Sequence, residues 1–200
     1  MPDGEGKYIY PNGDYFVGEW KYGKVNGKGK FVHLNGSIYE GNWKDNLQDG
    51  EGTETWPDGR VYKGTYSNGQ KKGKGTLSWK DGASYEGEFD FNQINGKGVY
   101  IFNDKRKYIG EWKNNKMNGF GRFEWPDGRV YNGNYKDDKK DGEGEYEWPD
   151  GRKYKGFWKN GKQHGEGFFY VPKKNIWKKG IWENGKRVKW IDEPTDIMKQ

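Results

Sequence analysis

The sequence predicts an all-β protein: an elongated solenoid in which a meandering antiparallel sheet is built from stacked 23-residue β-hairpins. Three observations predict it. First, glycines recur at one fixed step. Gly18, Gly41, Gly64, Gly87, Gly110, Gly133 and Gly156 are each 23 residues apart, and so are Gly27, Gly50, Gly73, Gly96, Gly119, Gly142 and Gly165. Each of the second series is followed two residues later by another glycine, Gly29 through Gly167. Second, two series of aromatics keep the same step, from Phe16 to Tyr154 and from Trp20 to Trp158. Self-similarity at a fixed period marks a repeat architecture. Third, the apolar period inside each unit is two, which is the strand signal.

The composition supports that class. Only 30% of residues are hydrophobic but 18% are aromatic, and there are 34 glycines, so the core must be thin and made of rings. A disordered chain of this polarity would be poor in aromatics. With no cysteine, disulfides and thiolate metal sites are excluded. No apolar run reaches the roughly 18 residues of a membrane span, and no signal-peptide core opens the chain, so a soluble, cytoplasmic protein is expected. The net charge of +6, from 36 basic and 30 acidic residues, describes a mixed surface, not a dedicated nucleic-acid binder.

In order along the chain, residues 1–15 are the second half of a unit, with Gly4 and Gly6 in phase with Gly27 and Gly29. Full units run from 16–38 to 154–176. Residues 177–191 are a first half, one residue out of step because Gly180 follows Gly156 by 24. This makes one array over 1–191, followed by a tail at 192–200, where Asp192-Glu193-Pro194 reads as the start of a short helical turn. Within a unit, Tyr39, Gly41 and Trp43 share one face of a strand. Six intervening residues follow, often with Asn-Gly, and then a second strand carries Gly-x-Gly and two in-phase apolar positions. Asp-Gly or Asn-Gly closes the unit, three times as Trp-Pro-Asp-Gly, a sequence suited to a tight turn. One such hairpin cannot bury its own stripe, so stability must come from stacking neighbours. The glycines on the ring-bearing face are expected to leave room for rings to lie over bare backbone.

Tyr-x-Gly-x-Trp, then Gly-x-Gly, then Asp-Gly before the next tyrosine resembles the MORN (membrane occupation and recognition nexus) repeat over about residues 1–190. The resemblance implies an elongated, twisted antiparallel sheet with a groove, and a non-enzymatic scaffold that binds protein partners, often in cytoskeletal, ciliary or membrane-junction assemblies. It also implies binding to anionic phospholipid. Lys105 and Lys174 depart from the turn glycine, Glu54 from a core apolar residue, and Trp177 is inserted.

The sequence offers three candidate surfaces. Trp79, Tyr85, Phe102, Tyr108, Trp112, Trp125, Tyr131 and Trp148 are expected to line a groove gripping a helical or extended protein segment. The competing reading is that such rings only hold the solenoid together. A one-layer sheet cannot bury every ring on both sides, so part of the stripe should stay accessible. On the otherwise polar face, Val99, Ile101 and Ile109 read as a second contact or self-association patch, or as plain strand formers. Phe157, Phe168, Tyr170 and Ile181 read as a patch capped by the tail (Ile191, Ile197, Met198) or covered by a partner. The third surface is an edge of Lys113, Lys116, Lys136, Lys139, Lys159 and Lys162, which suits an anionic membrane, although lysines also guard exposed strand edges. Enzyme signals are poor. His33 and His164 sit in different units, Asp137-Asp138 reads as loop charge, and Gly-x-Gly lies within a strand where no phosphate loop would form. No cofactor, metal or catalytic residue is expected.

Overall fold

A computed structural model describes residues 2–191. The chain separates into two compact units, Met1–Asn103 and Asp104–Gln200, each an antiparallel meander. The first contains β1 (Gly4–Ile9), β2 (Tyr15–Lys21), β3 (Lys24–Val32), β4 (Ile38–Lys44), β5 (Leu47–Thr55), β6 (Val61–Ser67), β7 (Gln70–Ser78), β8 (Ser84–Asp90) and β9 (Gln93–Ile101). The second contains β10 (Lys107–Lys113), β11 (Lys116–Glu124), β12 (Val130–Lys136), β13 (Lys139–Glu147), β14 (Lys153–Lys159), β15 (Lys162–Val171), β16 (Ile176–Glu183) and β17 (Lys186–Trp190), with a 3₁₀ turn at Pro172–Lys174. Within each unit every strand pairs with the next. Among the described residues no helix is long and apolar enough to cross a membrane.

The six intervening residues are not a loop. Strands run through them to a two-residue turn with both backbones left-handed, as at Asn114 (φ 50°) and Asn115 (φ 65°), or Asp137 (φ 46°) and Asp138 (φ 66°). That geometry matches the twist of the flanking strands and favours Asn, Asp and Gly. The acid pair Asp137-Asp138 is therefore a turn. The Asp138 carboxylate accepts the Met117 amide at 2.8 Å, and the Asp138 amide donates to the Met117 carbonyl at 3.0 Å. The same clasp joins Asn46 to Val25 and Asn92 to Lys71, tying each turn to the repeat before it.

The two glycines of Gly-x-Gly have different tasks. Gly119 is left-handed (φ 78°) beside a register shift between Gly110 and Trp112, which places Trp112 opposite Met117. It is a bulge glycine. Gly121 faces Gly110 across the ladder, and the Tyr108 ring lies over both. A Cβ on Gly110 would come within 2.6 Å of the Gly121 Cα. Only the second glycine makes room for the ring.

These rings build the core in two rows. Phe16, Tyr39, Tyr62, Tyr85, Tyr108, Tyr131 and Tyr154 are at most 1% exposed. Within each unit they stand edge-on to the second aromatic of their own repeat and to that of the next, as Tyr131 does with Tyr135 (5.3 Å) and Trp158 (5.2 Å), and Tyr154 with Trp158 (5.5 Å) and Trp182 (4.9 Å). Such edge contacts contribute about 0.5–1.5 kcal/mol each beyond area burial. The tyrosine hydroxyl donates to the carbonyl three residues on, Tyr108 to Glu111 at 3.0 Å and Tyr131 to Asn134 at 3.1 Å. Burial raises their pKa values, that of Tyr154 to about 12.

The extra residue near Trp177 is absorbed without loss of phase. β15 and β16 are each one residue longer than their counterparts, and Asn175 turns left-handed (φ 50°) after Pro172–Lys174. Gly167 therefore still faces Gly180, and Trp182 faces Gly165.

Candidate functional site

A second row of rings lies along the Trp-Pro-Asp-Gly turns. In the second unit Phe123 meets Trp125 (4.4 Å), Trp125 meets Tyr146 (5.7 Å), Tyr146 meets Trp148 (4.6 Å) and Trp148 meets Phe169 (5.8 Å). In the first unit the row includes Trp79, Tyr100 and Phe102. The turn itself closes from the Gly128 amide to the Trp125 carbonyl at 3.0 Å. The next residue, Arg129, holds Asp127 at 2.7 Å and lays its guanidinium 5.3 Å from the Trp125 ring centre. This pair holds the Asp127 carboxyl below its ordinary pKa.

The structure divides the expected groove residues by depth. Trp79, Phe102, Trp125 and Trp148, from the outer row, are half-buried and present ring surface. Tyr85, Tyr108 and Tyr131 are sealed at 0–1% exposure and Trp112 at 8%, so a partner cannot touch them without opening the sheet. They lie beneath the half-buried rings. They are buried because each tyrosine ring is laid over two glycines and walled by the second aromatics.

The other candidate surfaces are less coherent. Val99 and Ile101 lie on β9 opposite Glu86 and Ser84, and Ile109 lies on β10 opposite Arg122. Each has a polar cross-strand neighbour, and the first two belong to one unit and the third to the other. Phe157 is 51% exposed. Phe168 lies opposite Lys155 and Lys179, Ile181 opposite Glu166 and Lys189, and Tyr170 stacks on Trp177 at 5.2 Å. The expected tail cap falls on Ile197 and Met198, outside the described residues. Lys113, Lys116, Lys136, Lys139, Lys159 and Lys162 are all exposed and pair across the hairpin ends as Lys113–Lys116, Lys136–Lys139 and Lys159–Lys162. The hairpin ends that carry them line open cups of about 610 and 620 Å³, and both cups contain Asp137 and Asp141 beside the lysines. His33 stands 3.5 Å from Asp14 and packs on Phe31, and His164 lines one of the cups. No group of acids and histidines able to hold a metal occurs among the described residues.

One row escaped the sequence reading. Val25, Gln48, Lys71, Ile94, Met117, Lys140 and Gln163, two residues before each Gly-x-Gly, lie opposite the second aromatics on the ring-bearing face. Their 23-residue step and the apolar members Val25, Ile94 and Met117 were the available signal. Lys71 pairs with Glu54 at 2.6 Å, and the Tyr66 hydroxyl donates to the same oxygen at 2.9 Å. This explains why Glu54 is tolerated in a core position. Three repeats later Phe123 stands where Glu54 stood. Lys140 Nζ is there surrounded by rings, 4.9 Å from the centre of Trp125, 4.8 Å from Tyr131, 4.4 Å from Tyr146 and 4.7 Å from Trp158. The Tyr135 hydroxyl, counterpart of Tyr66, is buried with no hydrogen-bond partner among the described residues. Burial, aided by Arg129, pulls the Lys140 pKa down to about 8.

The MORN repeat model matches residues 1–15, 16–38, 39–59, 62–84, 85–105, 108–128, 131–151 and 154–175. No curated protein matches the chain. Among solved structures, the SAS-4 (dCPAP) TCP domain of Drosophila melanogaster, in complex with a proline-rich motif of Ana2 (dSTIL), is similar. It is 16% identical with a TM-score of 0.47, over 80% of this chain and 87% of that one. The CPAP G-box domain is 19% identical with a TM-score of 0.39, over 96% and 100%. The TCP10 domain of Danio rerio CPAP (E1021V mutant) is 14% identical with a TM-score of 0.30, over 94% and 99%.

Proposed function

The chain belongs to the MORN repeat family, and from that premise we propose that it is a non-enzymatic scaffold binding a protein segment along its outer row of rings. One observation carries the reading: the tyrosines that begin each repeat are sealed, whereas Trp79, Phe102, Trp125 and Trp148 on the outer row stay half-buried. Trp125 and Trp148 lie on the half-buried row, whereas Tyr131 below them is fully buried. Exposed aromatic edges on a rigid support are the usual anchors of partner interfaces, and extended or helical segments dock on such stripes. The setting, a cytoskeletal or ciliary assembly, follows the family's usual company. In a pull-down, the Trp125→Ala/Trp148→Ala double variant should lose its partner while keeping its far-UV spectrum. Undiminished capture by the folded variant would remove the groove as the site.

A second reading has its own support. Six exposed lysines along the hairpin ends suit an anionic membrane. Flotation with phosphatidylserine vesicles across a salt series tests it: binding that collapses with salt and with Lys136→Glu/Lys159→Glu favours the membrane, and absence of flotation at low salt sinks it.

A further inference from the structure

The ring-bearing faces of the two units differ in charge. In the first unit the register places one cation row member, Lys71, on that face, and Glu54 neutralises it from within. In the second unit the register places Lys140, Lys178 and Arg187 on the face and, among the described residues, no carboxylate. Arg106, Arg129 and Arg152 also reach over its rings, but each is held by the aspartate two residues before it, at 2.7 Å. Lys178 and Arg187 rest on the Trp190 ring, 5.3 and 4.2 Å from its centre.

Lys140 is the focus of this imbalance. Its ammonium stands between the two ring rows with no carboxylate in reach among the described residues, an arrangement that costs desolvation unless an anion arrives. Lys140 is half-buried and not sealed. Of the four rings around it Trp125 is half-buried, while Tyr131, Tyr146 and Trp158 are buried. Glu54 shows what this cradle accepts, one carboxylate oxygen on the ammonium with rings on either side.

We propose that the second unit binds its protein partner through an Asp or Glu side chain whose carboxylate pairs with Lys140, supplying from outside the anion that Glu54 supplies to Lys71 from within. The proposal rests on the groove reading and names the chemistry of the occupant: an acidic residue flanked by apolar ones, whose neighbours lie on Trp125 and Trp148. Further acids in the same segment would extend toward Lys178 and Arg187. Lys140 lies on β13 and Lys178 on β16, three strand spacings of about 4.8 Å apart, a span that a few extended residues cover.

The test is selection of random linear peptides displayed on phage against the full chain, followed by fluorescence anisotropy on the selected peptides. Peptides should share an Asp or Glu, and changing it to the amide should weaken binding about 10–100-fold, the loss typical of a hydrogen bond to a charged group. Against Lys140→Met that change should cost nothing further, while Lys71→Met should bind as the parent does. Peptides whose binding needs Trp125 and Trp148 but no acid, or whose acid-to-amide loss persists in Lys140→Met, overturn the anchor and leave the groove standing. Failure to select any peptide dependent on Trp125 and Trp148 overturns both.

Discussion

Lys140 makes the stability of the second unit depend on pH in a direction opposite to its tyrosines. Its pKa is about 8 in the folded chain against an ordinary 10.5. Between those values the unfolded chain holds more protons, so stability rises with pH and falls as pH drops through 8. Working the two-state proton linkage through gives a gain of about 2 kcal/mol from about pH 7 to pH 9.5. Buried tyrosines such as Tyr131 have raised values, so their contribution is intact below 10 and lost above it. They therefore do not mask the window, and they cancel in a comparison with Lys140→Met. Urea unfolding followed by tryptophan fluorescence should show Lys140→Met to be more stable than the parent at neutral pH. The gap should close by about 2 kcal/mol toward pH 9.5. Parallel pH profiles for the two proteins would refute the claim that the ammonium is desolvated among the four rings.

Other expectations follow from single contacts. Glu54→Leu strands Lys71 and the Tyr66 hydroxyl, and should cost about 2–4 kcal/mol in urea unfolding. Gly121→Ala pushes a methyl into the buried Tyr108 ring, and a loss of about 3 kcal/mol or more is expected, read from the melting temperature. Lys105 is left-handed (φ 70°) at a turn where six of the repeats place glycine, from Gly13 to Gly151, so Lys105→Gly should stabilise by about 0.5–1 kcal/mol. Asn46→Ala removes both a left-handed former and the acceptor for the Val25 amide, with a cost of about 1–2 kcal/mol that hydrogen exchange at Val25 should register.

The repeat, the alternation and the turn residues were legible in the sequence because each acts locally. Trp-Pro-Asp-Gly closes on itself, and Tyr108, Gly110 and Trp112 share a face by strand geometry alone. Two things were not legible. The strand between Gly-x-Gly and the two-residue turn looked like a loop, because Gly119 is a bulge that shifts register and hides the phase of Met117. The depth of each ring depends on which glycine lies beneath it across the ladder, so Tyr108 and Trp125 look alike in sequence yet one is floor and the other surface. Lys140 was unreadable for the same reason. Its significance comes from the residue that replaces Glu54 three repeats later, a comparison that only the observed register permits.

The edge-to-edge contacts of the tyrosines have a consequence for how such chains change length. Tyr131 touches the aromatic four positions ahead, Tyr135, and the one 27 ahead, Trp158, and Tyr108 touches Trp112 and Tyr135 in the same way. Excising a block of 23 residues, such as 131–153, would hand Tyr108 the partner that Tyr131 had, with every distance kept in kind. The joint is indifferent to which copy it joins. Duplication or loss of a block can therefore lengthen or shorten the ring-bearing face without new packing, while the one-off Glu54 travels with its block and decides which half-buried lysine has a carboxylate beside it.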